Sequence, residues 1–124
     1  MSVDLRQQLV EPPTDGIIRV RVKTGADIET ADAEECVRAM HALIDERPRP
    51  TLIDLTRLRS ISHEARAYFS GPATERVTRA AAMVVSSPLS RAVGNFFLVM
   101  NKTRFPIRMF TSEDDAVHWL RGYL

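Results

Sequence analysis

Ser62, His63 and Glu64 are consecutive, and a serine, a histidine and a carboxylate are the parts from which a nucleophilic acyl-transfer site is built. Such a site needs its base within hydrogen-bond reach of the hydroxyl. Consecutive residues on a helix point about 100° apart, so these three do not face one another. A structural role fits them better: Ser62 caps a helix, and Glu64 is a first-turn acid matched to the positive end of the dipole. His63 is then a surface histidine. The other histidines, His41 and His118, come with no nucleophile-elbow pattern. The histidines and Cys36 lack metal-ligand spacing, and the five glycines form no phosphate-binding or dinucleotide fingerprint after a strand. No catalytic residue, metal or cofactor is expected, and the chain reads as a non-enzyme.

The elements that position these residues follow from hydrophobic period. Thr51 to Leu55 is a buried strand, Thr56 to Ile61 a polar turn, and Ser62 to Phe69 a helix stopped by Gly71-Pro72, with a short helical turn over Ala73 to Val77. Upstream, Val3 to Val10 and Ile17 to Val22 read as two strands, broken by Pro12, Pro13 and Asp15-Gly16; apolar and charged residues alternate in the second, giving it one wet face. Thr30 is expected to cap a helix with an acidic first turn, whose buried stripe is Ala33, Cys36, Val37, Met40, Leu43 and Ile44. Pro48 and Pro50 end it. Downstream, strand Ala81 to Val85 leads to Ser87 as cap and Pro88 at the first helical position, in a helix expected to bury Leu89, Ala92, Val93, Phe96, Phe97 and Met100. Strand Ile107 to Phe110 meets Thr111, expected to form a capping box with Asp114 at the start of a last helix carrying Ala116, Val117, Leu120, Tyr123 and Leu124 inward.

Strand–helix alternation of this kind implies right-handed crossovers. The fold class is α/β: a mainly parallel sheet of about five strands, an N-terminal antiparallel hairpin at its edge, and about four helices, in one domain over residues 1–124. Ligands on such sheets sit at the carboxyl ends of the strands. That edge gathers Ser62, Ser87 and Thr111 as caps, with Arg57, Arg59, His63, Glu64, Ser86 and Arg91 beside them. These nine are the candidate ligand- or partner-binding residues.

Charge sharpens the expectation. Net charge is +1, yet residues 1–46 carry 5 Lys and Arg against 10 Asp and Glu, residues 47–108 carry 11 against 3, and residues 109–124 carry 1 against 3. The basic excess lies on the stretch that holds most of the candidates, which suits an anionic ligand or an acidic partner as well as it suits scattered solvated arginines. Nucleic acid is not expected, because the basic residues are not interleaved with aromatics and no binding motif is present. The longest apolar runs, Ala80 to Val85 and Phe96 to Met100, are far short of a membrane span, and MSVDLRQQLVEPP lacks the form of a secretory signal, so the expected location is cytoplasmic. The single cysteine, Cys36, falls on an apolar stripe and reads as a small buried hydrophobe.

The order of elements and the phrase IDLTRLRSIS resemble the STAS domain family, which includes the anti-sigma-factor antagonists and the cytoplasmic domains of sulphate transporters. In that family a strand ending in Asp-Leu-Ser leads to an Asp-Ser-Ser-Gly helix start whose second serine is phosphorylated by a partner kinase. Asp54, Leu55 and Thr56 match the strand end, Ile61 the apolar residue before the helix, and Ser62 the aspartate, while Glu64 falls on the phosphorylated serine and Ala65 on the glycine. The phrases VSSPLSRAVGNFF and RMFTSEDDAVHWL are similar to small bacterial SpoIIAA-like proteins, whose fold is related to the CRAL/TRIO lipid-binding proteins. Two functions follow as expectations. One is a regulatory or interaction module that lacks the phosphorylatable serine and meets a protein partner through Thr56 to Phe69. The other is a binder of an anionic or lipid-like small molecule at the carboxyl edge of the sheet. The run of apolar residues from Phe96 to Met100 adds a third expectation: either a homodimer through Phe97 and Leu98, or cover from the loop Lys102 to Pro106 through Phe105.

Overall fold

The computed structural model describes residues 1–99 and 103–124. Its elements run β1 (Val3–Asp4), β2 (Gln8–Glu11), β3 (Ile18–Val22), β4 (Ala26–Ile28), α1 (Thr30–Leu43), β5 (Arg49–Asp54), β6 (Leu58–Ile61), α2 (His63–Phe69), α3 (Pro72–Glu75), β7 (Thr78–Val84), α4 (Pro88–Val99), β8 (Ile107–Phe110) and α5 (Glu113–Leu120), closing on a 3₁₀ turn at Arg121–Tyr123. Six strands form one sheet in the order β1-β2-β3-β5-β7-β8. Neighbours from β3 to β8 are parallel, and β1 and β2 add an antiparallel edge beside β3. This is the α/β architecture expected from the alternation of strand and helix.

Side chains alternate between the two faces as the pleat requires. One face, carrying Ile18, Val20, Val22 and Met83, lies under α1, α2 and α4. The other carries Ile17, Leu52, Ala80, Ala82 and Val84 and packs on Ala116 and Leu120 of α5. The alanines of β7 are small, which lets α5 approach closely. Gly94 does the same for α4: a Cβ there would come within 2.6 Å of the Met109 sulfur on β8.

Several local expectations are corrected. The first strand is not continuous: Leu5 N–H donates to the Gln8 carbonyl at 2.8 Å, turning the chain so that β1 folds back on β2. The expected polar turn Thr56 to Ile61 contains strand β6, which pairs in parallel with β4 as a separate two-stranded sheet. Gly25, at φ +72°, makes the turn into β4, and its N–H donates to the Arg57 carbonyl at 2.9 Å, joining the two turns. Thr30 is inside α1 rather than its cap. Glu29 is the cap, its N–H donating to the Asp32 carboxylate at 2.9 Å, and Asp32 is buried beneath Arg6 at 3.3 Å. Thr111 is likewise displaced by Ser112, whose hydroxyl accepts from Asp115 N–H at 3.3 Å. In α4 the buried face is Ser90, Val93, Gly94 and Phe97, while Leu89 and Ala92 are exposed and Met100 lies outside the described residues. Close packing on Gly94 rotates the helix away from the face that hydropathy alone selects.

Candidate functional site

The strand β5 ends in Asp54, whose Oδ1 accepts from both the Thr56 N–H (3.0 Å) and the Thr56 hydroxyl (2.6 Å). This side-chain turn replaces backbone pairing just where the sheet stops. Arg57 is exposed at its tip. Behind it, Arg21 meets three carboxylates: Glu113 at 2.8 and 3.0 Å, Glu11 at 3.0 Å and Asp54 at 3.6 Å. The hydrogen bonds from Arg21 hold the Glu113 carboxyl below its ordinary range. This cluster ties β2, β3 and β5 to the start of α5.

Strand β6 carries Arg59 and Ser60, both bonded to Asp27 of β4: Arg59 Nε at 2.9 Å to Oδ1, its Nη2 to Oδ2, and the Ser60 hydroxyl at 2.6 Å. Arg59, followed by Ser60, brings the Asp27 carboxyl down to about 2. The Arg59 charge is therefore matched within the chain. Ser62 caps α2 as its sequence implies, accepting from Ala65 N–H at 3.1 Å, and its own N–H donates to the Ile28 carbonyl at 2.9 Å. His63 and Glu64 follow on the exposed first turn, and among the described residues neither side chain has an ion pair or hydrogen bond. Further along α2, Arg66 lies 4.0 Å over the Phe96 ring and donates to the Ile61 carbonyl at 3.2 Å, fastening α2 to α4.

The start of α4 is built differently from expectation. Ser87 does accept from Ser90 N–H at 3.1 Å, but the Ser90 hydroxyl reciprocates, accepting from the N–H groups of both Ser86 and Ser87 at 2.9 Å. Ser90 is fully buried. The amides that a strand-to-helix turn normally offers to an anion are thus taken up inside the protein. Arg91 is exposed one turn into the helix, and Thr111 is exposed on the other side of the sheet, before α5.

The fold therefore divides the nine candidates. Arg57 and the Ser62–Glu64 turn stand at the two ends of β6, roughly 10 Å apart at the rise of a strand. Ser86, Ser87 and Arg91 open α4 next to them, and Thr111 belongs to the α5 layer. Sequence reasoning missed Ser90 and Asp27. The Ser87-x-x-Ser90 spacing carried a signal for the first; the second becomes visible only once β4 and β6 pair. Phe97, expected at a subunit contact, is 8% exposed and packs into the chain's own core, whereas Leu98 (37%), Leu89 (44%) and Val99 (65%) remain on the surface.

Residues 13–124 match the family model described as a domain of unknown function, DUF7793. The chain belongs to the DUF7793 family. No curated protein matches it. Among solved structures, this DUF7793 chain is similar to an uncharacterised protein with a SpoIIAA-like fold from Shewanella loihica PV-4, at 22% identity over 97% of this chain and 98% of that one, with a TM-score of 0.60. It is also similar to an anti-sigma factor antagonist from Mycobacterium paratuberculosis, at 21% identity over 96% and 99% of the two chains, with a TM-score of 0.63. A protein with unknown function from Arthrobacter sp. FB24 aligns at 36% identity over 90% and 97%, with a TM-score of 0.35. At these identities the first two likenesses establish the STAS-like, SpoIIAA-like fold of the DUF7793 chain. Among the described residues, no helix is long and apolar enough to cross a membrane.

Proposed function

We propose that this DUF7793 domain is a non-enzymatic regulatory module that recognises a protein partner through the first turn of α2, with Glu64 serving as a permanent negative charge. The observation that carries the reading is the state of Glu64: exposed, without a partner among the described residues, and at the position where the resemblance to anti-sigma-factor antagonists puts a phosphorylated serine. The nearby hydroxyls are already engaged, Ser60 with Asp27 and Ser62 with the Ala65 amide. A carboxylate carries its charge without a kinase, so recognition here is constitutive where the phosphoserine domains are switched. The likeness to the mycobacterial anti-sigma factor antagonist supports a protein partner.

The rival reading, an anion held at the carboxyl edge of the sheet, has less to work with. Ser90 takes the amides of Ser86 and Ser87, and Asp27 takes Arg59. Arg57 and Arg91 remain. The test is partner binding before and after kinase and phosphatase treatment, together with intact-mass measurement of the protein from its native cells. Binding that does not respond, on an unmodified chain, is expected; stoichiometric phosphate at Ser60 or Ser62 would overturn the proposal.

A further inference from the structure

Between the sheet and the helices α1, α2 and α4 lies a cavity of about 70 Å³. Its lining follows β5 from Thr51 to Leu55, roughly 13 Å at strand rise, so the space is long and narrow. Among the described residues, no charged side chain lines it. Met40, Met83, Phe69, Phe97 and Phe105 supply much of the wall, and the two methionines can change rotamer at low cost.

Two polar atoms in this wall have no partner among the described residues: Gln8 Oε1, on a residue 2% exposed, and Thr78 Oγ1, on a residue 4% exposed. Orphaned polar groups of this kind destabilise a folded protein. Their placement is not incidental. At Thr78 the pairing of β5 with β7 steps from Arg49↔Thr78 to Pro50↔Ala80, leaving Arg79 unpaired in a bulge. Without the bulge, strict alternation would put Thr78 on the α5 face with Ala80 and Ala82. The irregularity turns its hydroxyl toward the cavity instead, as bulges do where a side chain must be re-aimed. Gln8 uses its amide nitrogen on the Asp32 carbonyl at 3.5 Å, which leaves the carbonyl oxygen as an acceptor at the far end. The Thr78 end is the more accessible. Thr74 lies beside it, bonded through its hydroxyl to the Tyr68 carbonyl, and the half-exposed Phe69, Thr103 and Phe105 line the wall there.

We propose that this cavity is a binding site for an uncharged, chain-shaped amphiphile, whose hydroxyl or amide bonds Thr78 while its apolar body lies along the sheet toward Gln8. The described wall sets the class: an ionised carboxylate or phosphate would lose its hydration with no cation among the described lining residues to replace it. At 70 Å³ the cavity is about half the roughly 150 Å³ that admits benzene in an engineered core, so longer ligands enter by displacing Met40, Met83 and Phe105. The inference is independent of the partner reading, which concerns the outer surface of α2.

The test titrates the wild-type protein with 1-butanol, 1-hexanol and 1-octanol, and with sodium octanoate as the charged counterpart, following backbone amide shifts and thermal stability. Saturable binding of the alcohols, at least tenfold tighter than octanoate, with shifts confined to the cavity wall, is expected. Thr78→Val is the informative variant, since it keeps the shape and removes the hydroxyl. It is expected to raise the melting temperature of the free protein and to weaken alcohol binding about fivefold, the equivalent of one net hydrogen bond. The proposal is overturned by absence of saturable alcohol binding, by equal binding of octanoate, or by a Thr78→Val protein that is less stable than wild type or binds the alcohols unchanged.

Discussion

Ser90→Ala is expected to destabilise the domain by about 2–3 kcal/mol, more than any other single serine substitution at the helix starts. The Ser90 hydroxyl has one proton and two lone pairs, and all are used: it accepts from Ser86 N–H and Ser87 N–H, and donates to the Ser87 carbonyl at 3.1 Å. Alanine leaves both amides without their acceptor. Ser86 is exposed, so water replaces the lost bond there at a cost of about 0.5–1.5 kcal/mol. Ser87 is half-buried, and its amide incurs part of the roughly 1–3 kcal/mol desolvation penalty. By contrast Ser87→Ala removes one cap bond, worth about 1 kcal/mol. For a domain of this size about 4 °C of melting temperature corresponds to 1 kcal/mol, so the drops are about 10 °C and about 4 °C. Urea titration with an unchanged m-value, alongside calorimetry, measures both. A Ser90→Ala protein no less stable than Ser87→Ala would refute the account of this helix start.

Acid weakens the fold through the ion pairs at β3: Arg19 holds the Asp15 carboxyl at about 2, and Arg21 depresses that of Glu113, so the stability they add is present above the ordinary carboxylate range and is lost as pH falls from about 4 toward 2. Arg21→Met should flatten that part of a melting-temperature profile, and an unchanged profile would remove Glu113 from it. Burial pushes the Cys36 thiol up to about 12, so it should resist iodoacetamide at pH 8 in the native protein and react once urea unfolds it; rapid native labelling would contradict its burial. The homodimer expected from the sequence would have to use Leu98 and its exposed neighbour Val99, since Phe97 is committed to the core: sedimentation should then show a dimer that Leu98→Asp converts to a folded monomer, and a wild type that stays monomeric at high concentration sinks it in favour of cover by the loop Lys102 to Pro106.

What could be read from the sequence was what depends on local period. The apolar run at Thr51 to Leu55, the Ser62 cap and the Ser87-Pro88 helix start each carry their own signal, and the parallel sheet follows from their alternation. What could not be read depends on pairing between distant segments. Ala26–Ile28 and Leu58–Ile61 are too short to announce themselves as strands, and only their mutual register brings Asp27 to Arg59. The cap at Glu29 escaped because its acceptor is Asp32, a residue that composition assigns to the solvent and Arg6 allows to be buried. The cavity is likewise invisible in sequence, since a bulge at Arg79 decides which way Thr78 faces.

The central claim, that Glu64 is the fixed charge of a partner-binding surface, is tested most directly by charge reversal at that residue. A partner captured from native cells by the wild-type domain would be purified and its affinity measured by calorimetry for wild type, Glu64→Arg and a remote control, Arg121→Glu. Reversing a charge at the heart of an interface places like charges together, at a cost of several kcal/mol. The expected result is at least a tenfold loss of affinity for Glu64→Arg with the control unchanged. A partner that binds Glu64→Arg as tightly as wild type would contradict the account.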